Sequence, residues 1–136
     1  MFLAKARNKQ MPNNTNKQID IHERIYKFVL QVLKLLSSLP KTSLNLIIID
    51  QCGRAVTSVG ANDQEADACE SKKDFIAKYS LVKKELKETN YWLRLINDVN
   101  PTFRSNMEME NIQQEGREIL LIVSSIIKNA KSRRKI

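Results

Sequence analysis

One histidine, His22, and two cysteines, Cys52 and Cys69, are the whole supply of imidazole and thiol in the 136 residues. Acid–base and nucleophilic catalysis need a base within hydrogen-bond reach of a nucleophile, and nothing stands at a readable spacing from His22. His22 therefore reads as a surface or interface side chain. Cys52, Cys69 and His22 also lack the paired spacing of a zinc site. Cys52 falls on an apolar stripe and reads as core filler, and two cysteines cannot found a disulfide framework. The carboxylates Glu85, Glu88, Glu115 and Glu118 are spaced for helical faces. A two-metal site in a bundle needs Glu-x-x-His pairs on facing helices, and no histidine accompanies them. Glu115 and Glu118 are expected on a solvated face. Glu88, close to the apolar Leu86 and Trp92, must find a partner, and Arg54 is the candidate. Three glycines leave no phosphate-cradling loop. The expectation is a chain without catalysis, cofactor or metal.

Cations are better supplied. Lys and Arg total 23 against 15 Asp and Glu, a net charge of +8. The excess is confined to the ends. Lys5, Arg7, Lys9 and Lys17 stand in residues 1–18 without an acid, and Lys128, Lys131, Arg133, Arg134 and Lys135 stand in residues 128–136, again without one. Such ends neutralise phosphates and release counterions, which gives salt-sensitive, largely sequence-independent nucleic-acid binding. The same charges also suit plain solvated ends. The nucleic-acid candidates are Lys131, Arg133, Arg134 and Lys135, helped by Lys5, Arg7 and Lys9.

The elements that position these residues are helical. Ile21, Ile25, Phe28, Val32, Leu35 and Leu39 recur in steps of three and four, with Val29 and Leu36 widening the stripe. Pro40 ends this helix near Leu39. A second begins at Thr42 or Ser43 and carries Leu44, Ile48, Cys52, Ala55, Val56 and Val59; Gly60 either bends it or admits a close neighbour. The acidic stretch Asp63 to Glu70 is expected to hold the connection. Ser71 with Asp74 opens a third helix whose stripe is Phe75, Tyr79, Val82, Leu86, Leu93 and Ile96, with Thr89 in the remaining slot. It stops before Pro101. A fourth runs from Met107 to Lys131 with Met109, Ile112, Ile119, Val123, Ile126 and Ala130 inward.

Four amphipathic helices with short joints imply an all-α, antiparallel up-down four-helix bundle over residues 19–130. It lies between a disordered basic leader, 1–18, and a basic tail, 131–136. Ile47, Ile49, Trp92, Leu95, Leu120, Leu121 and Ile127 fall off the main stripes, so self-association is expected through these surplus apolar faces; the alternative is that wide stripes reflect helices buried on two sides within the bundle. Tyr91, Trp92 and Leu95 are the interface candidates, because large amphipathic side chains favour contacts. The run Leu46-Ile47-Ile48-Ile49 is far short of the roughly 20 residues that span a bilayer, and no targeting signal is visible. The expectation is a soluble, cytoplasmic protein with no membrane partner.

At the second and third helices the sequence is distinctive. Arg54, Thr57-Ser58-Val59-Gly60-Ala61-Asn62, Glu65-Ala66, Ser71, Asp74-Phe75-Ile76, Lys84-Glu85, Glu88 and Tyr91-Trp92-Leu93, with Leu39-Pro40-Lys41 and Gln51 before them, closely resemble the four-helix bundle proteins also called the 23S rRNA intervening-sequence protein family. The resemblance covers Ile21 to Ile127. The sequence departs from the family pattern at Asp63 and Gln64, where relatives often carry an aromatic and a basic residue. The roles read for Arg54, Ser58, Gly60, Asn62 and Glu88 are architectural. The resemblance implies a ring-like homo-oligomer, a homopentamer in the family, and a genomic association with 23S rRNA inserts. A similar fold serves as the accessory subunit of diversity-generating retroelements, beside a reverse transcriptase. No enzymatic activity is established for the family. The leading expectation is thus a non-enzymatic oligomer that binds RNA, with ribosomal RNA favoured. A protein-interaction scaffold or reverse-transcriptase partner is the alternative.

Overall fold

The computed structural model describes residues 20–103 and 107–133. Four helices fill them: α1 (Ile21–Ser38), α2 (Ser43–Ala68), α3 (Lys72–Val99) and α4 (Met107–Arg133), with a 3₁₀ turn at Pro101–Phe103. There is no strand among the described residues. Lys5, Arg7, Lys9, Arg134 and Lys135 lie outside the described residues.

Three helix starts are set by side chains that accept from otherwise unpaired backbone amides. Asp20 accepts from His22 N at 3.0 Å, Thr42 from Asn45 N at 3.1 Å and Ser71 from Asp74 N at 3.1 Å. Such a cap is worth about 1 kcal/mol. Leu39, ahead of Pro40, is extended, which ends α1 at Ser38. The joint that follows is fastened from inside. Asn45 and Asn100 exchange amide hydrogen bonds of 2.9 and 3.0 Å, while Asn45 also donates to Pro40 O and Asn100 to Ile96 O. A polar pair buried at the core edge is affordable only because each amide is satisfied.

Each helix packs on its neighbour in sequence, and α1 closes against α4. The core holds the expected stripes of α1 and α3, including Phe28, Val32, Tyr79, Leu86 and Leu93, with Thr89 fully buried and donating to Glu85 O at 2.8 Å. Two positions differ from expectation. On α2 Leu44 is exposed and Asn45 takes the inward place, because the amide pair needs it there. On α4 Ile127 is buried and Ile126 only half so, since the inward face drifts by one residue over the helix.

α2 does not stop at Gly60. It continues through the acidic stretch to Ala68, and the connection is residues 69–71. No glycine has a positive φ. Gly60 instead lies where α1 crosses: a Cβ there would meet Val29 Cγ2 at 3.4 Å. Asn62 donates to Ser58 O, one turn back, within an unbroken helix. The tighter crossing is at Gly116 on α4, where a Cβ would run into the Asn90 amide oxygen and lie 3.2 Å from Phe28 Cζ. Among the described residues no helix is long and apolar enough to cross a membrane.

Candidate functional site

Two polar constellations sit on this frame. The first is buried where the start of α1 meets the end of α2 and the first third of α3. His22 Nδ1 lies 3.0 and 2.9 Å from the two oxygens of Asp63, and Tyr79 Oη donates to Asp63 Oδ1 at 2.7 Å. His22 Nε2 faces Asp67 Oδ1 at 3.2 Å. His22 is 5% exposed and Asp63 1%. Burial, the largest single influence, pulls the imidazole pKa down. The hydrogen bond to Asp63 and the charges of Asp63, Asp67 and Asp20 outweigh it, so the net direction is upward. Burial and the nearby Asp63 push the Tyr79 phenol up as well, which keeps it a neutral donor. His22 is thus not the surface or interface residue its sequence suggests. Its partners lie 41 and 45 residues away on α2, and only the fold unites them.

Beside this cluster a cleft of about 570 Å³ opens between α1 and α2, lined by Asp20, Glu23, Tyr26, Val29, Gly60 and Gln64 among others. Among the described residues no Ser, Thr or Cys lines it. At its edge Asp63 is held by His22 of α1 and Tyr79 of α3, and these bonds tie three helices together.

The second constellation is an open groove of about 340 Å³ between α3 and α4, lined by Lys83, Ser124, Ile127, Lys128, Lys131 and Ser132. Lys131 and Arg133 stand exposed on the last turn of α4. Lys83 had no signal in the sequence, being one of several lysines on a helix; only packing against α4 brings it beside Lys128 and Lys131.

The remaining candidates separate. Arg54 is 75% exposed and pairs with Asp50 one turn back at 3.1 Å, not with Glu88. Glu88 is met instead by Trp92 Nε1 at 3.3 Å, also one turn away. The predicted Arg54–Glu88 pair fails because Arg54 lies on the outer face of α2. Glu115 and Glu118 are not on a merely solvated face: Arg24 of α1 forks onto Glu115 with two bonds of 2.8 Å and reaches Glu118 at 2.8 Å. Those bonds set the register of α1 on α4. Cys52 is buried, and burial pushes its thiol up to about 12, which leaves it inert as a nucleophile. Tyr91 is 57% exposed, edge-on to Trp92 with ring centroids 5.0 Å apart, while Trp92 and Leu95 pack half-buried against the core. Among the described residues no group of three or more His, Cys, Asp or Glu is placed to hold a metal ion.

Comparison with known proteins agrees with this architecture. A solved structure from Bacteroides thetaiotaomicron, described as a protein with unknown function from the S23 ribosomal protein family, is similar with a TM-score of 0.71 and 30% identity, over 79% of this chain and 98% of that one. No curated protein matches the chain. The family profile described as 23S rRNA-intervening sequence protein matches residues 17–125, across all four helices, and the chain belongs to that family.

Proposed function

We propose that the chain is a non-enzymatic, homo-oligomeric protein that binds nucleic acid, ribosomal RNA first, through the basic end of α4. The observation that carries this reading is the placement of Lys128, Lys131 and Arg133 as exposed cations on the last two turns of α4, in a stretch from 128 to 136 with no acid. Joints of four residues (39–42) and three residues (69–71) support an antiparallel up-down bundle, since so short a link returns the next helix alongside the last. Exposed Leu46, Ile47, Tyr91 and Leu121 support self-association into a ring-like oligomer such as a pentamer. In such an assembly every copy adds a basic end, and weak phosphate contacts sum by multivalency. Removing residues 131–136 is expected to weaken RNA binding sharply across a salt series while light scattering shows the assembly intact. Unchanged affinity would overturn the assignment.

The exposed apolar side chains also suit a protein scaffold, for instance an accessory subunit of a reverse transcriptase. Co-purification of a protein partner that survives nuclease treatment would favour that reading.

A further inference from the structure

We propose that the groove between α3 and α4 seats the phosphodiester backbone of a nucleic-acid strand, with Lys83 as a phosphate-contacting residue beside Lys128 and Lys131. The proposal rests on the nucleic-acid reading above and places its contact surface on the folded body.

Lysines near the end of α4 have an ordinary explanation, since cations complement the negative end of a helix dipole. Lys83 does not. It is in the middle of α3, which runs from Lys72 to Val99, and it reaches the same groove from the other wall. Some cations elsewhere in the molecule take acids as partners: Arg24 pairs with Glu115 and Glu118, Arg54 with Asp50, Lys78 with Glu65. Among the described residues Lys83, Lys128 and Lys131 have no carboxylate within ion-pair distance. Three like charges converging on one groove repel one another, and a bound polyanion removes that repulsion while releasing its own counterions.

The lining also says what kind of contact this is. The Ser124 hydroxyl donates to Leu120 O at 2.8 Å, so its proton is spent on the helix. Among the described residues the groove is lined by no arginine fork and no aromatic platform on which a base can stack. Ammonium groups acting as point charges recognise phosphate oxygens and carry no base information. Binding is therefore independent of sequence, and Lys83 contributes one ionic contact to it.

The test is fluorescence anisotropy with the full chain and a fluorescein-labelled single-stranded RNA of about 20 nucleotides, titrated from about 50 to about 200 mM salt. Lys83→Ala is expected to weaken binding several-fold and to lower the steepness of log K against log salt by about 0.7 for each site engaged. Lys83→Arg should restore both, and Lys34→Ala on α1, outside the groove, should change neither. Far-UV circular dichroism of each variant checks that the helices are intact. If Lys83→Ala superimposes on the parent while removal of residues 131–136 weakens binding, the groove is wrong and the basic-end reading stands. If the parent chain ignores RNA at the lowest salt, both fall. If inorganic phosphate at matched ionic strength displaces the RNA, the groove is a free-anion site and the strand assignment is overturned.

Discussion

Tyr79 and Lys83 are one turn apart on α3 and meet opposite surroundings. Tyr79 is fully buried and donates a hydrogen bond to Asp63, inside a cluster where each charged group faces another. Lys83 is half-buried, lines an open groove and has two more lysines for company. An ionisable group in a low-dielectric interior is tolerated only when paired, so the cluster must be complete before the protein folds stably. At the surface water tolerates the unpaired state, and incompleteness there leaves capacity for a partner. The cluster holds the fold, and the groove is free to bind.

That contrast breaks most readily at Asp63. Asp63→Ala leaves the His22 imidazolium and the Tyr79 hydroxyl buried without their acceptor, and the expected loss is about 3–5 kcal/mol in urea denaturation. Asp63→Asn keeps an acceptor for Tyr79 but removes the charge, so it should fall between the parent and Asp63→Ala. A loss under about 0.5 kcal/mol for Asp63→Ala, the size expected of a surface substitution, would mean that the cluster is no keystone.

Helix faces and caps were legible in the sequence because they depend on spacing alone. Phe75, Tyr79, Val82, Leu86, Thr89, Leu93 and Ile96 form one buried face as their period requires, and Ser71 caps where it should. The partners of His22 were not legible, because α1 meets α2 at a register that no local pattern encodes. Arg54 and Glu88 misled for a different reason: each has a nearer partner one turn away on its own helix, a local pairing that the spacing does carry. The glycines show the limit most clearly. Gly60 drew notice inside a distinctive motif, while Gly116 sits in an ordinary polar stretch, yet Gly116 is the crowded one. Gly116→Ala should displace the Asn90 amide, break its 3.2 Å bond to Gly116 O and cost about 1–3 kcal/mol. Gly60→Ala meets only a methyl at ordinary contact distance and should be neutral or gain up to about 1 kcal/mol from helix propensity. Paired urea melts decide the order, and equal losses would refute the account of the two crossings.

Proton dependence sharpens the contrast with a smaller effect. The pKa of His22 is raised on folding, so its charge contributes stability that is fully present below the ordinary imidazole value of about 6.5 and is lost as pH rises through the raised value. The change should be smaller than that of Asp63→Ala, because neutral His22 can still donate from Nδ1 to Asp63. Melting temperature should fall over that window in the parent and lose the His22 share of the fall in His22→Gln. A stability that rises with pH there, and does so only when His22 is present, would show that burial wins over the two carboxylates.

The smallest expected change is at the groove itself, and its smallness is the point. If Lys83 had a hidden acidic partner, removing it would strand that carboxylate and cost stability. If it stands unpaired among like charges, Lys83→Ala removes a repulsion and shifts unfolding by less than about 0.5 kcal/mol, with stabilisation the favoured sign at low salt. Lys128→Ala should behave the same way up to the loss of its helix-dipole contribution, about 0.3–1 kcal/mol. Urea denaturation at two ionic strengths separates the cases, because salt screens repulsion between the lysines and so erases any gain from Lys83→Ala. A salt-independent loss above about 1 kcal/mol would place Lys83 with the fold-holding groups, alongside Asp63, and take it out of the set available to a phosphate.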